Sequence, residues 1–315
     1  MRRLLLVLVM LGVAGVFPRL LPPSGSAWTR SASNPILSAS LAWEETAMQE
    51  PMVILEDGVW KMWYTGGWAN AATGYATSAN GITWTKYASN PVYGQGGSGY
   101  SAGSSHPQVT KVGSTYWLFA TNNAPATVKV ATSTDGIAWT TQTSSVSLPS
   151  GKTLWGNRVV WLEGATWKML QEAGSSPWEI YYYTSADGLT WTIQNSGNPL
   201  STLQVFAAGM YGGPTMAQQG GITIPKRNGL YELWYHAAPN AGNTPTNIYR
   251  ATSSDLITWT QSGAALTRTG VGDEADQIAD PSVVVVGNVA YLYYDAVINA
   301  TSVGKIMLAT GAVAP

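Results

Sequence analysis

Ionisable side chains are scarce in this chain, so the setting of each one is informative. Its 315 residues include 17 Asp and Glu, 16 Lys and Arg, and two His. Several share one recurring context, a polar residue followed by Pro or Arg at the head of a strand-like run: Glu50-Pro51, His106-Pro107, Asn157-Arg158 and Asp280-Pro281. Gly213-Pro214 stands in the same context without a side chain. A second set, Thr65, Thr121, Glu172, His236 and Asp295, closes aromatic-rich segments. Carboxylates and imidazoles brought together can exchange protons with a bound substrate, and burial of one carboxyl beside another raises its pKa into the range a proton donor needs. The bland alternative is that each residue caps a strand end by bonding neighbouring backbone.

What could bring them together is an internal repeat. The unit Ser-x-(Asp/Asn)-Gly-x-x-Trp-Thr occurs at Ser78–Thr85, Ser133–Thr140 and Ser185–Thr192, with a variant at Ser253–Thr260. Its Trp residues, Trp84, Trp139, Trp191 and Trp259, are spaced by 55, 52 and 68 positions. Asn-Gly and Asp-Gly between apolar runs signal a hairpin. Asp135, Asp187 and Asp255 are therefore expected to be turn residues and the four Trp structural. Each polar-Pro segment lies about two strands upstream of a turn, and there are five such segments. The module is a four-stranded antiparallel unit of about 55 residues, the size of a propeller blade. The fifth module ends in its third strand, and its missing fourth strand is found at the other end of the chain. Trp28-Thr29 to Asn34-Pro35 matches Trp84-Thr85 to Asn90-Pro91 in register. The expectation is an all-β, five-bladed propeller of four-stranded antiparallel blades over residues 28–315, closed by pairing of the N-terminal strand with the C-terminal blade. A β-sandwich of this length is the competing architecture, but it has no reason to repeat at this period.

The first strand of a blade begins, and the second ends, at the same rim. This groups Glu50, His106, Asn157, Gly213 and Asp280 with Thr65, Thr121, Glu172, His236 and Asp295 around one axial mouth. Loops to that rim carry Trp43, Trp68, Tyr100, Trp155, Trp178 and Tyr211. Flat aromatic faces pack on the C–H face of a sugar ring, so the expected ligand is a carbohydrate.

Five four-stranded blades, the acidic-Pro start of the first inner strand at Glu50-Pro51 and a Ser-x-Asp-x-x-x-Trp turn before each fourth strand resemble the five-bladed glycoside hydrolases. The family 43 arabinanases and xylosidases, with the related invertase and levansucrase families, are the most similar. The resemblance implies O-glycosyl hydrolysis by a base Asp in the first blade, a second Asp in the third and an acid Glu in the fourth. Those positions are here Glu50, Asn157 and Gly213, so only the first remains a carboxylate. Two readings stay open. A hydrolase would use Glu50 as base or nucleophile and Glu172 or Asp280 as proton donor, with His106, Asn157, Arg158, His236 and Asp295 around the sugar. A glycan-binding propeller that lost the chemistry would attach to a cell surface or envelope.

Charged residues make up 10% of the chain and the net charge is −1, so no basic surface exists to neutralise nucleic acid. There is no Cys, which excludes disulfides and thiolate chemistry. No resident cofactor or metal site is expected. The acidic run Asp273-Glu274-Ala275-Asp276 could hold a structural Ca²⁺, although a solvated loop explains it as well. Arg2 and Arg3, the apolar run from Leu4 to Phe17 and the small residues before Ala27 have the layout of a secretory signal over residues 1–27. A retained anchor is the alternative. With cleavage, the mature chain has no membrane span and is secreted or held at the cell surface.

Overall fold

A computed structural model describes residues 28–68, 71–94, 105–123, 126–240 and 245–312. The expected signal segment and Tyr100 lie outside the described residues. The described chain is a β-propeller of five antiparallel blades. Blade 1 comprises Met48–Glu56, Val59–Gly66, Ala72–Ser78 and Thr85–Lys86; blade 2, Ser105–Val112, Thr115–Asn123, Ala126–Ser133 and Thr140–Gln142. Blade 3 comprises Leu154–Glu163, Thr166–Gly174, Glu179–Ser185 and Thr192–Ile193; blade 4, Met210–Thr215, Leu230–Ala238, Asn247–Ser253 and Thr260–Leu266. Blade 5 is Gln277–Val286, Val289–Ile298 and Val303–Ala312, completed by Thr29–Arg30 from the other end of the chain.

That closure has the register anticipated from the repeat. Thr29 pairs with Thr310 and Arg30 with Ala309. Asn34 then bonds both the N–H and the carbonyl of Leu308, as Asn90 bonds both backbone groups of Tyr75. The ring therefore has no open edge between its last and first blades.

The recurring turns are held by their own side chains. In each, the Ser hydroxyl accepts the Gly (or Leu256) N–H at 2.9 Å and the Asn or Asp accepts the two following amides at 2.8–2.9 Å. Those donated N–H groups hold Asp135, Asp187 and Asp255 below the usual carboxylate range. The Trp residues that follow pack between blades: Trp84 lies edge-on to Tyr293 of blade 5 and Trp191 edge-on to Phe119 of blade 2.

One element has no counterpart in the repeat. Four blades join their first two strands by a tight turn, whereas blade 4 inserts residues 216–229. Within this insertion Gln218–Gln219 pairs with Ile222–Thr223, and Gln218 pairs in parallel with Val284 of blade 5. The hairpin also meets the first strands of blades 1 and 2. It thus lies across the end of the central channel opposite the mouth.

Candidate functional site

The first strands converge on the axis, and each carries a bulge at its mouth end. The register breaks between Gln49 and Met52, Ser105 and Gln108, Trp155 and Arg158, Gly212 and Thr215, and Ala279 and Ser282. Glu50, His106, Gly213 and Asp280 each have φ between 48° and 57°. Bulges re-aim side chains, and this repeated left-handed residue turns the polar group before each Pro toward the axis. Blade 3 has Arg158 where the others have Pro, and Asn157 does not share the conformation.

Around the axis each blade is stitched to the next through these groups. The Glu50 carboxylate accepts Thr65 Oγ1 at 2.5 Å and, from blade 2, the His106 N–H at 2.7 Å, while its other oxygen lies 3.0 Å from His106 Nε2. Ser105 Oγ meets His106 Nδ1 at 2.8 Å. Arg158 of blade 3, 2% exposed, reaches back to Thr121 Oγ1 and the His106 carbonyl of blade 2, and donates to Gln171 Oε1. Glu172 Oε2 accepts the N–H groups of Asn157 and, across the blade boundary, Gly213, each at 3.0 Å. His236 Nδ1 of blade 4 lies 3.2 Å from Asp280 Oδ1 of blade 5. The fifth stitch is incomplete. Asp295, 1% exposed, has only a loose approach from the Glu50 amide of blade 1 and no hydrogen bond of normal geometry on either oxygen.

The glycines of blade 4 now have a reason. A Cβ on Gly212 would collide with the Glu172 carboxylate, and one on Gly213 would lie 2.5 Å from His236 Nδ1 and 2.6 Å from Asp280 Oδ1. The position where the resemblance calls for an acid is empty because its neighbours fill it.

A cavity of about 450 Å³ opens above these groups. Of the residues expected from sequence, Glu50, Glu172, Asp280, Asp295, His106 and His236 line it, with Trp68, Trp155 and Trp178. Four others stand elsewhere. Asn157 and Arg158 line a separate neck of about 20 Å³ on the axis, about the room of one water. There Arg158, inside the bulged first strand of blade 3, props the site from below. Trp43 stacks on Tyr64 at 6.1 Å beside Gly66, and Tyr211 is buried in the core between blades 3 and 4. Trp43 belongs to packing because its segment folds back onto blade 1, and Tyr211 because it lies within the first strand of blade 4 with its ring in the core against blade 3. Gln49, Thr246, Gln277 and Asn299 also line the cavity and were not singled out as ligand groups. Gln49 could have been found, as the residue before Glu50-Pro51; Thr246 carries no sequence signal.

Burial works against charge on both histidines, but their carboxylate neighbours outweigh it. His106 is raised by Glu50, and His236 is raised to about 9 by Asp280 and then Glu172. Burial pushes the Glu172 carboxyl up, with Asp280 adding to it against the pull of His236. Asp295 is driven well above the ordinary range by burial and by Asp280 and Glu50. Burial lowers the Arg158 guanidinium to about 9 despite Glu50 and Glu172.

Among the described residues one set could hold a metal ion: Glu172, His236 and Asp280 each offer an atom, all within 4.8 Å of one another. The acidic run considered for Ca²⁺ is engaged by protein. Asp273 pairs with Lys305, Glu274 with Arg30 and Tyr294, and Asp276 accepts the Asn299 N–H.

No family model matches the chain, and no curated protein matches its sequence. Solved structures do share its fold. A protein of the GH130 family of mannoside phosphorylases, which contains glycoside hydrolases that target β-1,2-mannosidic linkages in Candida mannan, is 17% identical with a TM-score of 0.67, over 94% of this chain and 99% of that one. A glycosyl hydrolase from Bacteroides ovatus is 18% identical with a TM-score of 0.65, over 90% and 93%. The catalytic domain of the Coprinopsis cinerea GH62 α-L-arabinofuranosidase is 15% identical with a TM-score of 0.64, over 92% and 98%. The chain therefore has the five-bladed propeller fold of these glycoside hydrolases. Family 43 is not among the families these neighbours name. No helix of the described residues is long and apolar enough to cross a membrane.

Proposed function

We propose that this chain is a secreted glycoside hydrolase that binds an oligo- or polysaccharide at the axial cavity. The observation that carries the reading is a pair of carboxyls in unlike surroundings: Glu172 and Asp280 present oxygens no more than 4.8 Å apart at the floor of the cavity. Glu172 is buried with its pKa raised, suited to protonate a leaving-group oxygen. Asp280 faces the His236 imidazole, held cationic, at 3.2 Å and is placed to attack the anomeric carbon. The Glu172 carboxylate left behind would then take a proton from the water that releases the sugar. So short a separation leaves no room for a water between the carboxyls and favours retention over inversion. Glu50, held by Thr65 and His106, positions the His106 ring at the opposite side of the mouth.

One observation favours the non-catalytic alternative. Glu172 ties blades 3 and 4 through two amides, a role a glycan-binding propeller would also keep. Reducing-sugar release from arabinan, xylan, fructan and mannan, wild type beside Glu172→Gln, separates the two. Release that the substitution abolishes supports the enzyme; glycan binding with no release from any polysaccharide sinks it.

A further inference from the structure

The cavity has two unlike walls, and their chemistry constrains what enters. Blade 3 contributes Leu154, Trp155 and Trp178. In a five-membered ring blade 3 faces the junction of blades 5 and 1, and that side is polar. Gln49 Oε1, Thr246 Oγ1 and both Asp295 oxygens are buried on that side, in residues that line the cavity, and none has a hydrogen bond of normal geometry from the protein. Buried polar atoms are nearly always satisfied, so a group of them turned into one cavity marks where a ligand's groups belong. Gln49 Oε1 accepts, while the Thr246 hydroxyl and the Asp295 carboxyl, whose pKa is raised, can each donate or accept, so the matching ligand edge is one of hydroxyls.

Nothing in the cavity wall is free to neutralise an anion. No Lys or Arg lines it, and the internal stretches outside the description, 69–70, 95–104, 124–125 and 241–244, contain none in sequence. The two histidines are already engaged by Glu50 and Asp280, and Arg158 lies below in the neck with its donors directed to protein acceptors. A carboxylate or phosphate on the ligand would lie against the Asp280 carboxylate without a free counter-charge. The hairpin of residues 218–223 closes the far end of the channel, so no chain threads past this wall.

Resting on the hydrolase reading for the identity of the ligand as a sugar, we propose that Gln49, Thr246 and Asp295 form a specificity wall. It reads the hydroxyl edge of an uncharged glycosyl residue whose C–H face lies on Trp155 and Trp178, and it rejects uronic acid and sugar-phosphate residues.

The test is ligand-observed NMR on the full chain, with methyl glycosides of arabinose, xylose, mannose and galactose, methyl glucuronide and galacturonide, and glucose 6-phosphate. Uncharged glycosides should bind, and the anionic ones at least about tenfold more weakly. Thr246→Val, a near-isosteric change, should weaken binding of the uncharged sugar about three- to tenfold, and Asp295→Asn, which swaps the carboxyl for an amide of the same shape, should weaken it less. Near-ultraviolet circular dichroism checks that each variant is folded; if Asp295→Asn does not fold, Thr246→Val decides. An anionic sugar binding as well as its neutral counterpart, no sugar binding at all, or binding indifferent to Thr246→Val overturns the proposal. Neutral-selective binding without turnover upholds this wall while removing catalysis.

Discussion

The two faces of the disc use carboxylates in opposite ways. On the face away from the cavity, Glu56 of blade 1 meets Lys61, Lys111 and the Tyr116 hydroxyl of blade 2. Glu163 of blade 3 repeats this with Lys168, Lys226 and the Tyr231 hydroxyl of blade 4. Burial alone would raise both carboxyls, but the paired lysines and tyrosine outweigh it and hold each at about 2. At the mouth, Glu172 and Asp295 are more deeply buried, have carboxylate neighbours, and are raised instead. The same side-chain type is a clamp on one face and a strained, proton-retaining group on the other. A fold that needed only clamps would complete the fifth stitch too; leaving Asp295 with no more than the loose approach of the Glu50 amide is what a ligand site costs.

The largest effect expected from this contrast is chemical. Glu172→Gln keeps the shape and the two amide contacts but removes the proton, so kcat should fall by about 10²–10⁴-fold while sugar binding persists. The wild-type rate should also decline as pH rises through the raised Glu172 pKa, because the donor form is then lost. Comparable rates in Glu172→Gln and wild type would remove Glu172 from the chemistry and leave it as a blade tie.

The next effect is on stability, where the same carboxylate-to-amide change should take opposite signs on the two faces. Glu56→Gln and Glu163→Gln should each cost about 1–2 kcal/mol, because two lysines and a tyrosine lose a charged acceptor. The clusters join different blade pairs, so the costs should add within about 0.5 kcal/mol, with activity unchanged. Asp295→Asn should instead stabilise the fold at neutral pH by about 1 kcal/mol, since it removes a buried carboxyl whose ionisation is opposed. Urea denaturation at fixed pH measures all three. Destabilisation by Asp295→Asn equal to that of Glu56→Gln would erase the contrast.

The ring of blades was legible because strand pairing and turn chemistry are local and repeat. Trp28 matched Trp84 fifty-six positions on, and the Ser-x-Asp turns satisfy their own amides wherever they occur. The mouth was legible as far as it follows from strand polarity, which placed Glu50, His106, Glu172, His236, Asp280 and Asp295 together. It failed where one residue departs from the repeat. Arg158 in place of Pro took Asn157 out of the cavity, a segment folding back onto blade 1 took Trp43, and the first strand of blade 4 turned Tyr211 into the core. Thr246, the closing hairpin and the two lysine clamps depend on contacts between blades distant in sequence, for which a single blade's pattern holds no signal.

The smallest expected effect concerns how stability varies with pH, and it isolates the clamps from everything else. Glu56 and Glu163 have folded pKa values of about 2, below the ordinary 4.5. Their contribution is therefore complete above pH 4.5 or so and is lost as pH falls through about 2, because the unfolded chain takes up the proton first. Glu172 and Asp295 run the other way: their raised values favour the fold at low pH and that benefit is lost as pH rises through them. Each depressed carboxyl adds at most about 1.4 kcal/mol per pH unit to the slope of unfolding free energy on the acid side. Glu56→Gln should flatten that acid limb by up to this amount between about pH 4.5 and 2, and leave the slope above pH 6 as it was. Asp295→Asn should do the reverse, removing a fall in stability that sets in as pH rises above about 4 and leaving the limb below it unchanged. If both substitutions altered the same limb, the two faces would share one electrostatic field, and the division of labour between clamp and site would not hold.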